Sequence, residues 1–203
     1  MGCDIHTRVE YLNTNKEWVC GDFFRINPYY IGDSPHEVDP YSVVEVCDDR
    51  NYELFAVLAD VRNYDGMPYI DEPRGIPDNA CAKTHRDYNA WGEDAHSASW
   101  FTLKELIEYR AGAGSTIKRS GMVSPEDAEK LDATGEEPRM WCGYTSDKSW
   151  VYREWEVEYN PLDKLIAELK RRGEELYLWY SFHSEEEFME RADKLRFIFW
   201  FDN

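Results

Sequence analysis

"CDIHTRVEYL", residues 3–12, decides how the rest of the chain is read. Its alternation sets Cys3, Ile5, Thr7, Val9 and Tyr11 on one side and Asp4, His6, Arg8 and Glu10 on the other. A period of two marks a half-buried strand, here with a wholly polar second face. Chain ends usually fray unless they are tied into the fold. A strand this regular therefore predicts an ordered, internal or near-internal position, and its polar face predicts a site.

Outward from that strand, "NTNKEW" reads as a turn into a second strand over Trp18–Phe24, giving an N-terminal hairpin. "INPYYIGDSPHEVDPY", residues 26–41, reads as an irregular, aromatic loop. "NYELFAVLADVRN" spaces Leu54, Phe55, Leu58, Ala59 and Val61 as a helix, with Asn51 or Asp49 available as its cap. No period survives from Asn63 to Ser99, and an irregular stretch that long is usually functional or disordered. A second helix begins at Thr102, where Thr102 and Glu105 form a capping box, and "AGAGST" ends it. Residues 111–147 form a surface excursion containing a short helix capped by Ser124, with Pro125 first.

The last third is the most regular part of the chain. It reads as a strand over 150–159, a helix from cap Asn160 to a closing Gly173, and a strand over 176–182. A helix capped by Ser184 and a last strand over 196–201 follow. Strand–helix–strand–helix–strand implies right-handed crossovers and locally parallel pairing. The expectation is one α+β domain over 1–203, a mixed sheet with an N-terminal hairpin and helices packed on it.

Composition limits the function classes. With 42% hydrophobic residues, including 8 Trp, 14 Tyr and 9 Phe, the 203-residue chain can bury a sizeable core. A net charge of −18 argues against binding duplex nucleic acid, which needs concentrated Lys and Arg. Five widely spaced cysteines with no CxxC pair suit a reducing compartment. The opening lacks a signal-peptide core, and no apolar run approaches a membrane span. These features together predict a cytoplasmic protein with no membrane partner.

Several residues could carry chemistry. Asp4, His6 and Glu10 share a strand face and are candidate ligands for a divalent metal, its identity open. The competing account is a charged strand face on which Arg8 pairs with Asp4 or Glu10. Asp60 stands near the end of an apolar helix, where the helix dipole disfavours an anion, so it needs a metal or a cation such as Arg74. Arg74, in the turn "DEPRGIP", suits bidentate phosphate recognition, with Arg62 as a second cation. His96 and Ser97 precede the second helix, whose free N–H groups could hold an anion. Trp100 could stack a base. His183 and Asp202 end predicted parallel strands. The irregular segment is expected to cross the polar face of the first strand and to bring Arg74 and His96 towards Asp4 and His6.

"MGCDIH", "NYELFAVLADVRN", "EPRGIP", "HSASWFTLKEL" and the closing "FWFDN" resemble an uncharacterised family of bacterial and phage-encoded proteins. The resemblance implies a phage or prophage setting and carries no activity, fold or catalytic residue. Two readings follow. The first is a metal-assisted hydrolase of a phosphate-containing small molecule or nucleotide, with His96 and Asp60 catalytic and Arg74, Arg62, Ser97 and Trp100 binding substrate. The second is a non-catalytic protein that sequesters a nucleotide or blocks a host protein.

Overall fold

The computed structural model describes residues 2–30, 39–47, 49–64, 66–114, 116–158, 160–179 and 183–202. In chain order the elements begin with strands β1 (Asp4–Leu12), β2 (Trp18–Cys20), β3 (Phe23–Ile26) and β4 (Tyr41–Val44), then helices α1 (Tyr52–Ala59) and α2 (Ala82–Asn89). Strand β5 (His96–Thr102), helix α3 (Leu103–Gly112), strand β6 (Thr116–Val123) and helix α4 (Pro125–Thr134) follow. Strands β7 (Trp141–Cys142) and β8 (Val151–Glu158), helices α5 (Leu162–Glu175) and α6 (Glu185–Ala192), and strand β9 (Leu195–Asp202) complete the fold. The chain divides into two compact units, one of Met1–Asn63, Pro68–Gly112 and Pro161–Asn203, the other of Tyr64–Met67 and Ala113–Asn160.

The first unit is built on a four-stranded sheet of order β2-β1-β9-β5, antiparallel throughout. β9 runs between β1 and β5, and Phe197 to Phe201 are all buried. Both faces of the strand are covered, which is why its sequence is an unbroken apolar run rather than an alternation. Fully burying each such side chain contributes about 1.5–3 kcal/mol. Residues directly opposite in the ladder share a face. Ile5, Thr7 and Val9 thus lie with Phe201, Phe199 and Phe197, while His6, Arg8 and Glu10 lie with Trp200, Ile198 and Arg196. Phe55 of α1 packs edge-on against Phe201 at 5.0 Å, closing the apolar face.

β2 pairs with β1 only at residues 10–12. Further along, side chains meet the open N–H groups of β1. Val9 donates to Asp22 Oδ1 at 2.7 Å, and Thr7 donates to Glu45 Oε2 at 2.8 Å. At β5, Gly75 donates to the Ala98 carbonyl at 2.8 Å, and Arg74 N–H donates to Ser99 Oγ at 3.2 Å.

Local signals in the sequence act as expected at most helix ends. Asn51 accepts from Leu54 N–H, and Thr102 and Glu105 cap one another reciprocally at 3.2 and 2.7 Å. Ser124 accepts from Asp127 N–H, and Ser184 accepts from Glu187 N–H. Gly173 differs from expectation, because α5 continues past it to Glu175. The Trp179 indole lies where a Cβ would be, its nearest ring carbon 1.7 Å from that position, so glycine is needed there for packing rather than for a cap.

The α+β class holds, with open antiparallel sheets. The parallel crossovers do not: β9 runs antiparallel to both its neighbours. β8 pairs with β6 in the second unit, in a three-stranded antiparallel sheet of order β7-β6-β8. Alternation identifies a strand without naming its partner. Of the strand expected over 176–182, Leu176–Trp179 is a turn and the rest lies outside the described residues. The second expected strand divides at Gly21–Asp22, and its far part, β3, joins β4 in a separate two-stranded ribbon. The second unit holds its own core, where Val123, Ala128, Trp155 and Val157 pack with Ile117, Leu131 and Val151.

Candidate functional site

The polar face of β1 is covered. Residues 79–91 cross it, as expected of the irregular segment, but within that stretch 82–89 is the helix α2. Only Thr84 of that helix is buried, so no apolar period marks it in the sequence. It is held by polar groups instead. Glu10, with no exposure, accepts from Cys81 N–H at 2.9 Å and from the Thr84 hydroxyl at 2.6 Å through Oε1. Its Oε2 accepts from Arg196 Nη2 and Nε at 2.6 and 3.0 Å. Arg196 also donates to Asn79 Oδ1, and its guanidinium stacks on Trp18 at 4.0 Å. Burial of one charge is offset by the other and by hydrogen bonds to both.

One step along the strand, Arg8 lies among three carboxylates. Its Nε donates to Asp87 at 2.9 Å, Nη1 reaches Glu45 at 3.2 Å, and Asp22 stands 3.9 Å away. Burial alone would raise the Asp87 carboxyl, yet Lys83 and Arg8 hold it below its ordinary value. Burial pushes the Asp22 carboxyl up to about 6, against the downward pull of the Val9 N–H and of Arg8. At the end of the strand, the His6 ring sits between Trp91, 4.1 Å away, and Trp200, 5.7 Å away. Its Nε2 is 3.4 Å from Asp202 Oδ2, within ionic reach but not aligned as a hydrogen bond.

The residues proposed from sequence separate into different settings. Glu10 is not placed as a metal ligand, because both its oxygens are engaged in the buried network. Asp4 is held by two nitrogens of Arg50. The carboxylate facing His6 is Asp202, which ends β9. His96 and Ser97 are not at a helix start: they open β5, six residues or more before α3. His96 pairs with Phe201, on the face opposite Trp200 and His6, and stacks on that ring at 5.9 Å. Ser97 has a left-handed backbone, φ 49°, and its hydroxyl lies 3.1 Å from His96 Nδ1. Asp60 is exposed, terminates α1 with φ 57°, and accepts from the Asn63 amide at 2.7 Å, with no need of a metal. Arg62 lies near the Cys3 thiol, where it opposes the upward push of burial on that group. Arg74 lies on the far side of β5, paired with Asp71 and Glu105 and stacked on Phe101 and Trp100 at 4.6 and 5.2 Å. The segment therefore does not carry Arg74 or His96 to Asp4 and His6. His183 donates its N–H to Glu187 just before α6. Among the described residues, no three His, Cys, Asp or Glu side chains converge to hold a metal ion.

A second feature lies beside α2. In the β3–β4 ribbon Phe24 is opposite Val43 and Ile26 is opposite Tyr41, so these four share one face. That face is apolar and open: Phe24 is 47%, Ile26 76% and Tyr41 60% exposed. The other face is anchored, since Phe23 stacks beneath Arg172 at 5.0 Å and buried Arg172 donates to the Val44 and Glu45 carbonyls. A groove of about 500 Å³ runs between Phe24, Pro40 and Tyr41 and the α2 side chains Lys83 and Arg86. Sequence reasoning passed over this surface because the aromatics fall in a Pro-rich stretch without a period. The signal was there in their density.

No family model matches the chain, and neither does any curated protein or solved structure. Among the described residues no helix is long and apolar enough to cross a membrane. Fold and site must therefore supply the functional reading by themselves.

Proposed function

We propose that this is a non-catalytic binding protein whose apolar β3–β4 face docks onto a partner protein, in the phage or prophage setting and cytoplasmic location that the sequence suggests. The observation that carries the reading is the open face of Phe24, Ile26 and Tyr41 on a ribbon whose reverse side is fixed by Arg172. Contiguous exposed apolar surface marks interaction sites in water-soluble domains, and tyrosine is enriched where binding energy concentrates. Lys83, Arg86 and Asp39 rim the groove, and both cations pair with Asp87, so its border is polar and nearly neutral. The partner surface is accordingly apolar at its centre, with polar groups at its border.

Immobilised wild-type chain and an Ile26→Asp/Tyr41→Asp variant, presented with host lysate, test this. A partner retained by the wild type and by a Tyr144→Asp control, and lost by the double variant, is the expected result. Equal capture by all three overturns it. The hydrolytic alternative rests on His6 and Asp202 at the sheet end. Metal-dependent turnover of a phosphate ester that disappears in His6→Ala would favour that reading instead.

A further inference from the structure

We infer that Cys81 and Cys20 form a peroxide-responsive thiol pair, in which Cys81 is the attacking sulfur and Cys20 resolves it to a disulfide. β1 and β2 pair Glu10 with Cys20, and Glu10 Oε1 also accepts the Cys81 N–H at 2.9 Å. Glu10 thus places the two cysteines on the same side of the sheet, although they lie 61 positions apart in the chain (81 − 20). The two side chains are close enough for each thiol to shift the other's titration. Both residues are partly exposed.

The two sulfurs are not equivalent. Cys81 is the N-cap of α2, with no side-chain cap bond of its own, and the helix end favours a thiolate there. Its Sγ also lies 3.4 Å from the Thr84 hydroxyl. The neighbouring Cys20 thiol lowers the Cys81 thiol, while Cys81, burial and the Asp22 carboxylate raise Cys20. Cys20 donates its thiol proton to Asp22 Oδ2 at 3.6 Å, which keeps that proton on Cys20, while the helix end favours the charge on Cys81.

The chemistry balances with a hydroperoxide as oxidant. The Cys81 thiolate attacks the O–O bond and becomes a sulfenic acid, and the departing oxygen leaves as hydroxide or alkoxide and takes a proton. The Cys20 sulfur then attacks the Cys81 sulfur. An S–S bond forms, the S–O bond breaks, and the thiol proton leaves with that oxygen as water. With hydrogen peroxide, two thiols and one peroxide give one disulfide and two waters. The bond would tie β2 to the first turn of α2. This inference stands on the thiol pair and is independent of the docking reading.

The test exposes the reduced full chain to hydrogen peroxide, followed by alkylation, tryptic digestion and mass spectrometry. A linkage between the peptides of residues 17–25 and 75–83 is expected, with loss of two of the five titratable thiols. In Cys20→Ser, dimedone should trap a sulfenic acid at Cys81. In Cys81→Ser, Cys20 should react at least tenfold more slowly. The wild-type measurement needs no variant, so a substitution that impairs folding leaves the inference exposed. Linkage of either cysteine to a different thiol, survival of both thiols, or equal dimedone labelling of Cys20 in Cys81→Ser overturns it.

Discussion

The two sides of α2 reverse the usual placement of residue types. Beneath the helix, Glu10, Arg196 and Arg8 are buried on a sheet face that reads as solvent-facing. Beside it, Phe24, Ile26 and Tyr41 are exposed on a ribbon that reads as hydrophobic. A buried charge and an open apolar patch are the informative departures from ordinary burial. They differ in kind, however. Each buried charge is matched by partners within the same unit, so that network accounts for itself as structure. The ribbon face has no such internal account, and this asymmetry directs the functional reading to the aromatics rather than to the acidic and basic residues.

The comparison breaks most visibly at Arg196. Arg196→Met leaves the Glu10 charge buried without its cation and should cost about 3–5 kcal/mol in urea unfolding. Adding Glu10→Met should restore most of that loss, because an apolar pair of similar volume has no charge to satisfy. If the double variant unfolds as readily as the single one, the network contributes more than mutual neutralisation. Thr84→Val removes the hydroxyl donor to Glu10 while keeping the volume, and should cost about 1.5–3 kcal/mol.

A smaller effect depends on pH. The Asp22 carboxyl titrates at about 6 in the fold against an ordinary 3.8, so the folded chain binds the proton more tightly than the unfolded one. Stability from this group is present below pH 3.8 and is lost as pH rises through about 6. Asp22→Asn should therefore gain on the wild type between those limits. Loss of one counter-charge to Arg8 offsets part of the benefit, leaving about 1 kcal/mol by pH 8. A stability difference that does not vary with pH would remove Asp22 from this account. Smallest of all, Ile26→Thr and Tyr41→Thr should each change stability by under about 0.5 kcal/mol, as exposed positions do. A loss of 2 kcal/mol or more would mean that the ribbon face belongs to the core.

Much of the framework was legible. β1 and β9 follow from alternation and from an unbroken apolar run, and the Asn51, Thr102, Ser124 and Ser184 caps act where their spacing put them. What failed depended on pairing and on polar packing. α2 has the sequence "AKTHRDYN", whose contacts with the sheet run through Thr84, Asp87 and Tyr88, and a search for apolar periods passes over such a helix. The polar face of β1 was read correctly as distinct, but alternation separates two environments without saying which of them meets water. Asp60 and Arg74 stood out as charges needing partners, and both found neighbours within their own segment, Asn63 and Asp71.

The place of β9 bears on how the chain reaches this state. Asp4 and Asp202 are register partners 198 positions apart, and Glu10 meets Arg196 across 186. Among the described residues, β1 and β5 are joined only through this one strand, which is made after every other element described. During synthesis the central sheet must wait, its apolar face open, until β9 emerges. β6 and β8, close in sequence and carrying their own core, can pair earlier. Closure of the large sheet is then the late and slow event in folding, and a chain stopped short of residue 195 would hold the ribbon, the helices and a sheet with no centre.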